Sequence, residues 1–196
     1  MNKEIDARAM DCPRPVIMTK KELDNLKEGS ITTIVDNDVA RENVSKLVAS
    51  MGYNFNVEEK DGDFYININK DGEMVEEVKE DKKLKNMTIG ISSDTMGSGD
   101  DTLGKILMKS FIYTVSETEP YPSTIVFYNG GVRLTVEGSE VIDELIALEG
   151  KGVEIISCGT CLDFLELKER LKVGSISNMY TIYEKLKDKD SNLIIG

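Results

Sequence analysis

Residues 71–86 hold ten charged side chains in sixteen positions, with few apolar residues between them. A stretch of that kind cannot bury enough surface to join a core. It reads as a solvated connector, or as a short charged helix lying on one unit's surface. Either way it divides the 196-residue chain into residues 1–70 and 87–196, each long enough for one small domain. Fully extended, the connector would reach roughly 55 Å.

The first part has the order strand, helix, strand, helix, strand, strand. A strand is predicted over 3–8 and a helix over 15–28, where Val16, Thr19, Leu23 and Leu26 fall at helical spacing and Gly29 marks the stop. Residues 30–36 are β-branched and read as a strand. Asp36 or Asp38 is expected to cap the next helix, whose stripe is Val44, Leu47, Val48 and Met51, ended by Gly52. Two further strands, 53–59 and 64–70, flank Asp61-Gly62-Asp63, a hairpin signal. Two helices on one four-stranded sheet make a two-layer βαβαββ sandwich.

The second part alternates apolar strands with helices. Strands are predicted over 87–92, 124–128, 153–157, 175–178 and 192–195. Helices are predicted over 100–115 and 139–149, following Cys158-Gly159-Thr160-Cys161 to about 172, and over 180–188. Repeated βα units of this kind predict a mostly parallel, three-layer α/β domain of flavodoxin-like class.

Composition narrows the chemistry. Residues 1–86 carry 14 basic and 19 acidic side chains, and the rest carry 10 and 17, so the two parts stand at −5 and −7. Neither offers a basic patch for nucleic acid or an anionic membrane. No apolar run is long enough to span a bilayer, and the first residues do not resemble a signal peptide. A cytoplasmic location is expected, with the three cysteines as thiols. There is no histidine, which excludes Ser-His-Asp and Cys-His catalysis within the chain. Catalysis, if any, falls to thiols, carboxylates, lysines and backbone donors.

Cys12 is the first candidate. It stands in Met10-Asp11-Cys12-Pro13-Arg14-Pro15, where a strand gives way to a helix. Prolines are tolerated in a first helical turn, so Pro13 and Pro15 fix the turn. The partial positive charge of a helix start favours thiolate over thiol, and Arg14 acts in the same direction. A small buried apolar residue is the competing reading of a lone cysteine. Cys158-Gly159-Thr160-Cys161 is the second candidate. A Cys-x-x-Cys pair serves as a dithiol switch, as half of a zinc site, or as a working thiol with a resolving partner. Zinc is disfavoured, because a structural site wants four ligands and the chain offers one further cysteine and no histidine. The Gly97-Ser98-Gly99 loop could cradle a phosphate, but Asp94, Asp100 and Asp101 surround it, and a tight turn explains it better.

Cys12-Pro13-Arg14-Pro15, preceded by Asp6-Ala7-Arg8 in a βαβαββ order, resembles the TusA-like (SirA-like) sulfur-carrier family over residues 1–70. That resemblance implies that Cys12 accepts sulfur as a persulfide and hands it on. Residues 87–196 resemble the DsrE-like sulfurtransferases through Ile89-Gly90-Ile91-Ser92-Ser93-Asp94, Gly97-Ser98-Gly99 and Ser157-Cys158-Gly159. Cys158 matches that family's sulfur-accepting cysteine, and Cys161 is an addition to the pattern. The two parts in this order resemble the YedF-type group, described as sulfurtransferase-like selenium metabolism proteins.

These resemblances imply a sulfur or selenium carrier that forms a covalent adduct on cysteine and needs no separate cofactor. Cys12, Cys158 and Cys161 would be the working thiols, supported by Pro13, Arg14, Pro15 and Gly159, with Cys161 resolving Cys158 to a disulfide. A cysteine desulfurase or selenium-donor protein would load it, and a downstream acceptor would unload it. Self-association is expected through the apolar segments Phe111-Ile112-Tyr113 and Ile125-Val126-Phe127-Tyr128. The alternatives are a thiol redox switch or adaptor built on Cys158 and Cys161, and a nucleotide-binding flavodoxin-like module.

Overall fold

A computed structural model describes residues 2–70, 84–187 and 191–196. The chain divides into two compact units, residues 1–79 and 80–196, each with its own apolar core. Of the expected connector, residues 71–83 lie outside the described residues. Residues 84–86 belong to the first strand of the second unit.

The first unit runs β1 (Asn2–Asp6), α1 (Arg14–Asn25), β2 (Gly29–Val35), α2 (Asp38–Ser50), β3 (Asn54–Lys60) and β4 (Asp63–Lys70). Its sheet has the order β1-β2-β4-β3. β1 is parallel to β2, and the other pairs are antiparallel. Leu23 of α1 and Val44 and Val48 of α2 close over Ile31, Ile66 and Ile68, all fully buried. Each such side chain contributes roughly 1.5–3 kcal/mol of apolar burial. Thr19 pins α1 to the sheet: its hydroxyl donates to the Pro15 carbonyl at 2.8 Å and lies 3.0 Å from the Thr33 hydroxyl, both groups buried. The other sheet face is polar, with Thr32 donating to Asn67 Oδ1 at 2.8 Å. This is the two-layer sandwich that the sequence predicts.

α1 stops at Asn25, three residues before the predicted end. Leu26 turns to an extended backbone so that the chain can enter β2 while Leu26 still packs on the core. The cap of α2 is neither Asp36 nor Asp38. Asn37 takes that role, accepting from the Ala40 N–H at 2.9 Å.

The second unit runs β5 (Leu84–Ile91), α3 (Asp101–Glu117), β6 (Tyr121–Phe127), a 3₁₀ turn (Asn129–Thr135), α4 (Ile142–Gly150), β7 (Glu154–Cys158), α5 (Gly159–Phe164), a 3₁₀ turn (Lys168–Arg170), β8 (Ser175–Ser177), α6 (Met179–Lys187) and β9 (Ser191–Ile195). All five strands are parallel, in the order β8-β7-β6-β5-β9. Strand residues alternate between two faces. Ile89, Ile91, Ile125, Phe127 and Ile155 face the large core shared with α3 and α4. Val126, Ile156 and Cys158 face the other way, under Ile182 and Leu186 of α6. The class is three-layer parallel α/β.

One expectation fails here. The helix after Cys158 ends at Phe164, well short of residue 172. Glu166 adopts a left-handed backbone, φ 56°, and the Leu167 N–H returns to the Leu162 carbonyl at 2.8 Å. The chain then buries Leu167 and bridges Leu171 to Val136. Tertiary pairing thus overrides helical periodicity. Of the segments expected to mediate self-association, Ile112, Ile125, Val126 and Phe127 are buried, whereas Phe111, Tyr113 and Tyr128 are half-buried.

Candidate functional site

Cys12 is held by the loop between β1 and α1, and three acidic residues organise that loop. Arg8 Nε and Nη2 bond Asp6 at 2.9 and 2.6 Å, and its Nη1 reaches Asp63 at 3.0 Å. The guanidinium holds the Asp6 carboxyl down at about 2. The two carboxylates in turn push Arg8 further up. Asp36 accepts from the Ala9 N–H at 2.6 Å, which holds its carboxyl below the ordinary range, with Asn37 adding to the effect. Ala9 sits at φ 55°, a conformation that non-glycine residues adopt only when something holds them there. Asp36, expected as a cap, instead anchors the loop that presents the sulfur.

Pro13 is the N-cap of α1 and Pro15 its second residue, and the Cys12–Pro13 peptide is cis. The Arg14 N–H bonds the Asp11 carbonyl at 3.0 Å, closing a turn around Cys12. The thiol is exposed, at the rim of a cleft of about 260 Å³ lined in part by Met10, Val16, Val39 and Asn43. Asn43 of α2 donates to the Cys12 sulfur at 3.7 Å. Sequence reasoning did not find Asn43. It lies 31 positions away, on the flank of a helix whose apolar stripe carries the only local signal.

The second cluster lies at the carboxyl edge of the parallel sheet. Cys158 ends β7 and is 2% exposed, packed among Val126, Ile156 and Ile182. Cys161, one turn into α5, is half-buried. Cys161 packs against the small apolar cluster that contains Cys158. Cys161 also accepts the backbone N–H of Asn129 at 3.1 Å. Burial pushes the Cys161 thiol up, contact with Cys158 adds to that, and the Asn129 N–H works against both. Asn129 itself has a left-handed backbone, φ 49°, at the turn that follows β6.

Close approach fixes that corner. A Cβ on Gly131 would lie 2.2 Å from the Ile91 carbonyl oxygen, and the Gly131 N–H bonds Ser92 O at 3.1 Å. A Cβ on Gly159 would lie 3.0 Å from Ile176 and 3.2 Å from the Ser177 carbonyl. Gly159 therefore admits β8 alongside the start of α5. Among the described residues, no group of three or more His, Cys, Asp or Glu side chains is placed to hold a metal ion, and no helix is long and apolar enough to cross a membrane. The Gly97-Ser98-Gly99 loop is a turn with both glycines at positive φ, and Asp100 caps α3 by accepting from the Leu103 N–H at 2.8 Å.

Comparison with known proteins bears on the first unit. Residues 3–70 match the family described as "Sulfurtransferase TusA". A solved SirA-like protein from Desulfitobacterium hafniense is 42% identical, covering 35% of this chain and 96% of that one, with a TM-score of 0.34. The chain belongs to the TusA (SirA-like) family through its first unit. Two further solved structures are similar over 55% of the chain. The YchN protein from E. coli is 12% identical, with 97% of it covered and a TM-score of 0.40. A protein of unknown function from Methanobacterium thermoautotrophicum is 18% identical, with 96% covered and a TM-score of 0.42. No curated protein matches the chain.

The structure brings Cys158 and Cys161 together and puts Cys12 in the TusA-type unit. Sequence reasoning missed Asn129, although Asn129-Gly130-Gly131 at a strand end is the composition that tolerates left-handed backbone.

Proposed function

We propose that the protein is a cytosolic carrier of sulfane sulfur or selenium, with Cys12 as the carrying thiol. The observation that supports this reading best is the exposed Cys12 at the rim of its cleft, in a unit of the TusA family. Thiolate attack on the outer sulfur of a donor persulfide transfers that sulfur and releases the donor thiolate, and no histidine is needed. Asn43 supplies a donor to the loaded sulfur. The second unit, read as DsrE-like, offers a further acceptor in Cys158 and Cys161. The pairing of the two units is the basis for a YedF-type role in selenium metabolism, with a cysteine desulfurase or selenium-donor protein upstream and an acceptor protein downstream.

Incubating the full chain with a cysteine desulfurase and cysteine, then measuring intact mass, tests the assignment. Added sulfur on the chain lacking Cys158 and Cys161 that disappears when Cys12→Ser is introduced into that same chain supports it. Equal loading of that chain with and without Cys12→Ser removes it. A thiol redox switch is the second reading, favoured by the contact between Cys158 and Cys161. That reading expects a disulfide under mild oxidation and no sulfane sulfur on any cysteine.

A further inference from the structure

We infer that the second unit discharges sulfane sulfur as sulfide, with Cys161 as the attacking thiol and Cys158 as the resolving one. This rests on the reading of that unit as a sulfur acceptor, but it reverses the two roles and names a product.

Three observations carry the inference. Cys158 is 2% exposed and lies beneath α6, so the outer sulfur of a donor persulfide cannot reach it. Cys161 is half-buried at the edge where β6 and β7 both end, and is the more accessible of the two. The Asn129 N–H points at the Cys161 sulfur at 3.1 Å, where it can stabilise negative charge as a sulfur–sulfur bond forms or breaks. Cys161 packs against the buried cluster that contains Cys158, which places Cys158 on its interior side, where it can attack the inner sulfur of an adduct.

The chemistry balances in two steps. The Cys161 thiolate attacks the outer sulfur of a hydropersulfide, R–S–SH. The bond between the two donor sulfurs breaks, its electron pair leaves on R–S⁻, and Cys161 becomes a persulfide. The Cys158 thiolate then attacks Sγ of Cys161. The Sγ–S bond breaks, HS⁻ leaves with the electron pair, and a Cys158–Cys161 disulfide forms. The two thiols are oxidised, the sulfane sulfur is reduced to sulfide, and their two protons end on R–SH and H₂S. A dithiol reductant restores the pair. A carrier that only relayed sulfur would have no use for a buried second thiol against its acceptor, because that thiol destroys the persulfide.

The test is a single turnover on full-length protein carrying Cys12→Ser, reduced, freed of reductant, and mixed with glutathione hydropersulfide without oxygen. The expected result is one sulfide per chain with a matching Cys158–Cys161 disulfide by peptide mapping. Adding Cys158→Ala should trap a persulfide on Cys161 and slow sulfide release at least tenfold. Adding Cys161→Ser should abolish both loading and release. A persulfide on Cys158 in the Cys161→Ser chain, full-rate release without Cys158, or disulfide formed without equivalent sulfide would overturn the inference. The stoichiometry in the chain with both cysteines present holds even if a replacement at buried Cys158 harms folding. Loading of Cys12 by a desulfurase is measured separately on the chain lacking Cys158 and Cys161, so failure of either reading is visible alone.

Discussion

At the scale of single residues, fixed charges and backbone donors set the properties of the sites. Asp6 is held at about 2 by Arg8, against an ordinary value of 3.8. Because the folded value is the lower one, the carboxylate supports the folded loop above pH 3.8, and that support fades as pH falls from 3.8 towards 2. Arg8→Ala should return the Asp6 midpoint to near 3.8, read by carboxyl chemical shift against pH. An unchanged midpoint would mean that Arg8 does not set it. Asp36→Ala should speed exchange of the Ala9 amide several-fold, since that N–H loses its acceptor. Cys161 gives the opposite sign. Its thiol lies above the ordinary 9.0, so the folded chain favours the neutral form and loses stability as pH rises past that value. At neutral pH, Cys161 should alkylate more slowly than an unfolded control peptide, and Cys158→Ala should lower its midpoint. Alkylation at the control rate in the native chain would contradict the shift.

At the scale of elements, caps and close contacts decide where the chain turns. Asn37→Ala removes the cap of α2 and should cost about 1 kcal/mol, read from the unfolding transition of the first unit. Gly131→Ala places a methyl against backbone and should cost about 3 kcal/mol or more, read from the transition of the second unit. Denaturant melts with no shift would refute either estimate. The βαβαββ order, the parallel second sheet and the Cys-bearing turns were legible in the sequence, because burial on one face writes a period of 3.6 or 2 into the chain. The stop of α5 at Phe164 was not, because a bridge from Leu171 to Val136 ends it and that pairing leaves no local trace. Likewise the apolar runs at 111–113 and 125–128 look the same in sequence whether they face a core or a partner. Asn43 and Asn129 were invisible as sulfur donors for the same reason: each meets its cysteine only through the fold.

At the scale of the whole molecule, the carrier reading adds a question of transfer between Cys12 and the second unit's thiols. Transfer within one chain should follow a first-order rate that does not change on dilution, because tethering fixes the effective concentration. Labelled sulfur on Cys12, followed to the second unit across protein concentrations, checks this. A rate proportional to concentration would mean exchange between chains. The direction of the strands turns this into a question of length. In the first unit the sheet end beyond Asp6 leads to Cys12, whereas Lys70 pairs with Gly29 at the opposite end. In the second unit β5 begins at Leu84, and the thiols lie where the parallel strands finish. Each unit therefore carries its thiols at the sheet end opposite the one where its chain runs to or from residues 71–83. Removing four residues from that segment should slow first-order transfer while leaving each thiol's own loading intact, and a rate indifferent to the deletion would mean exchange between chains.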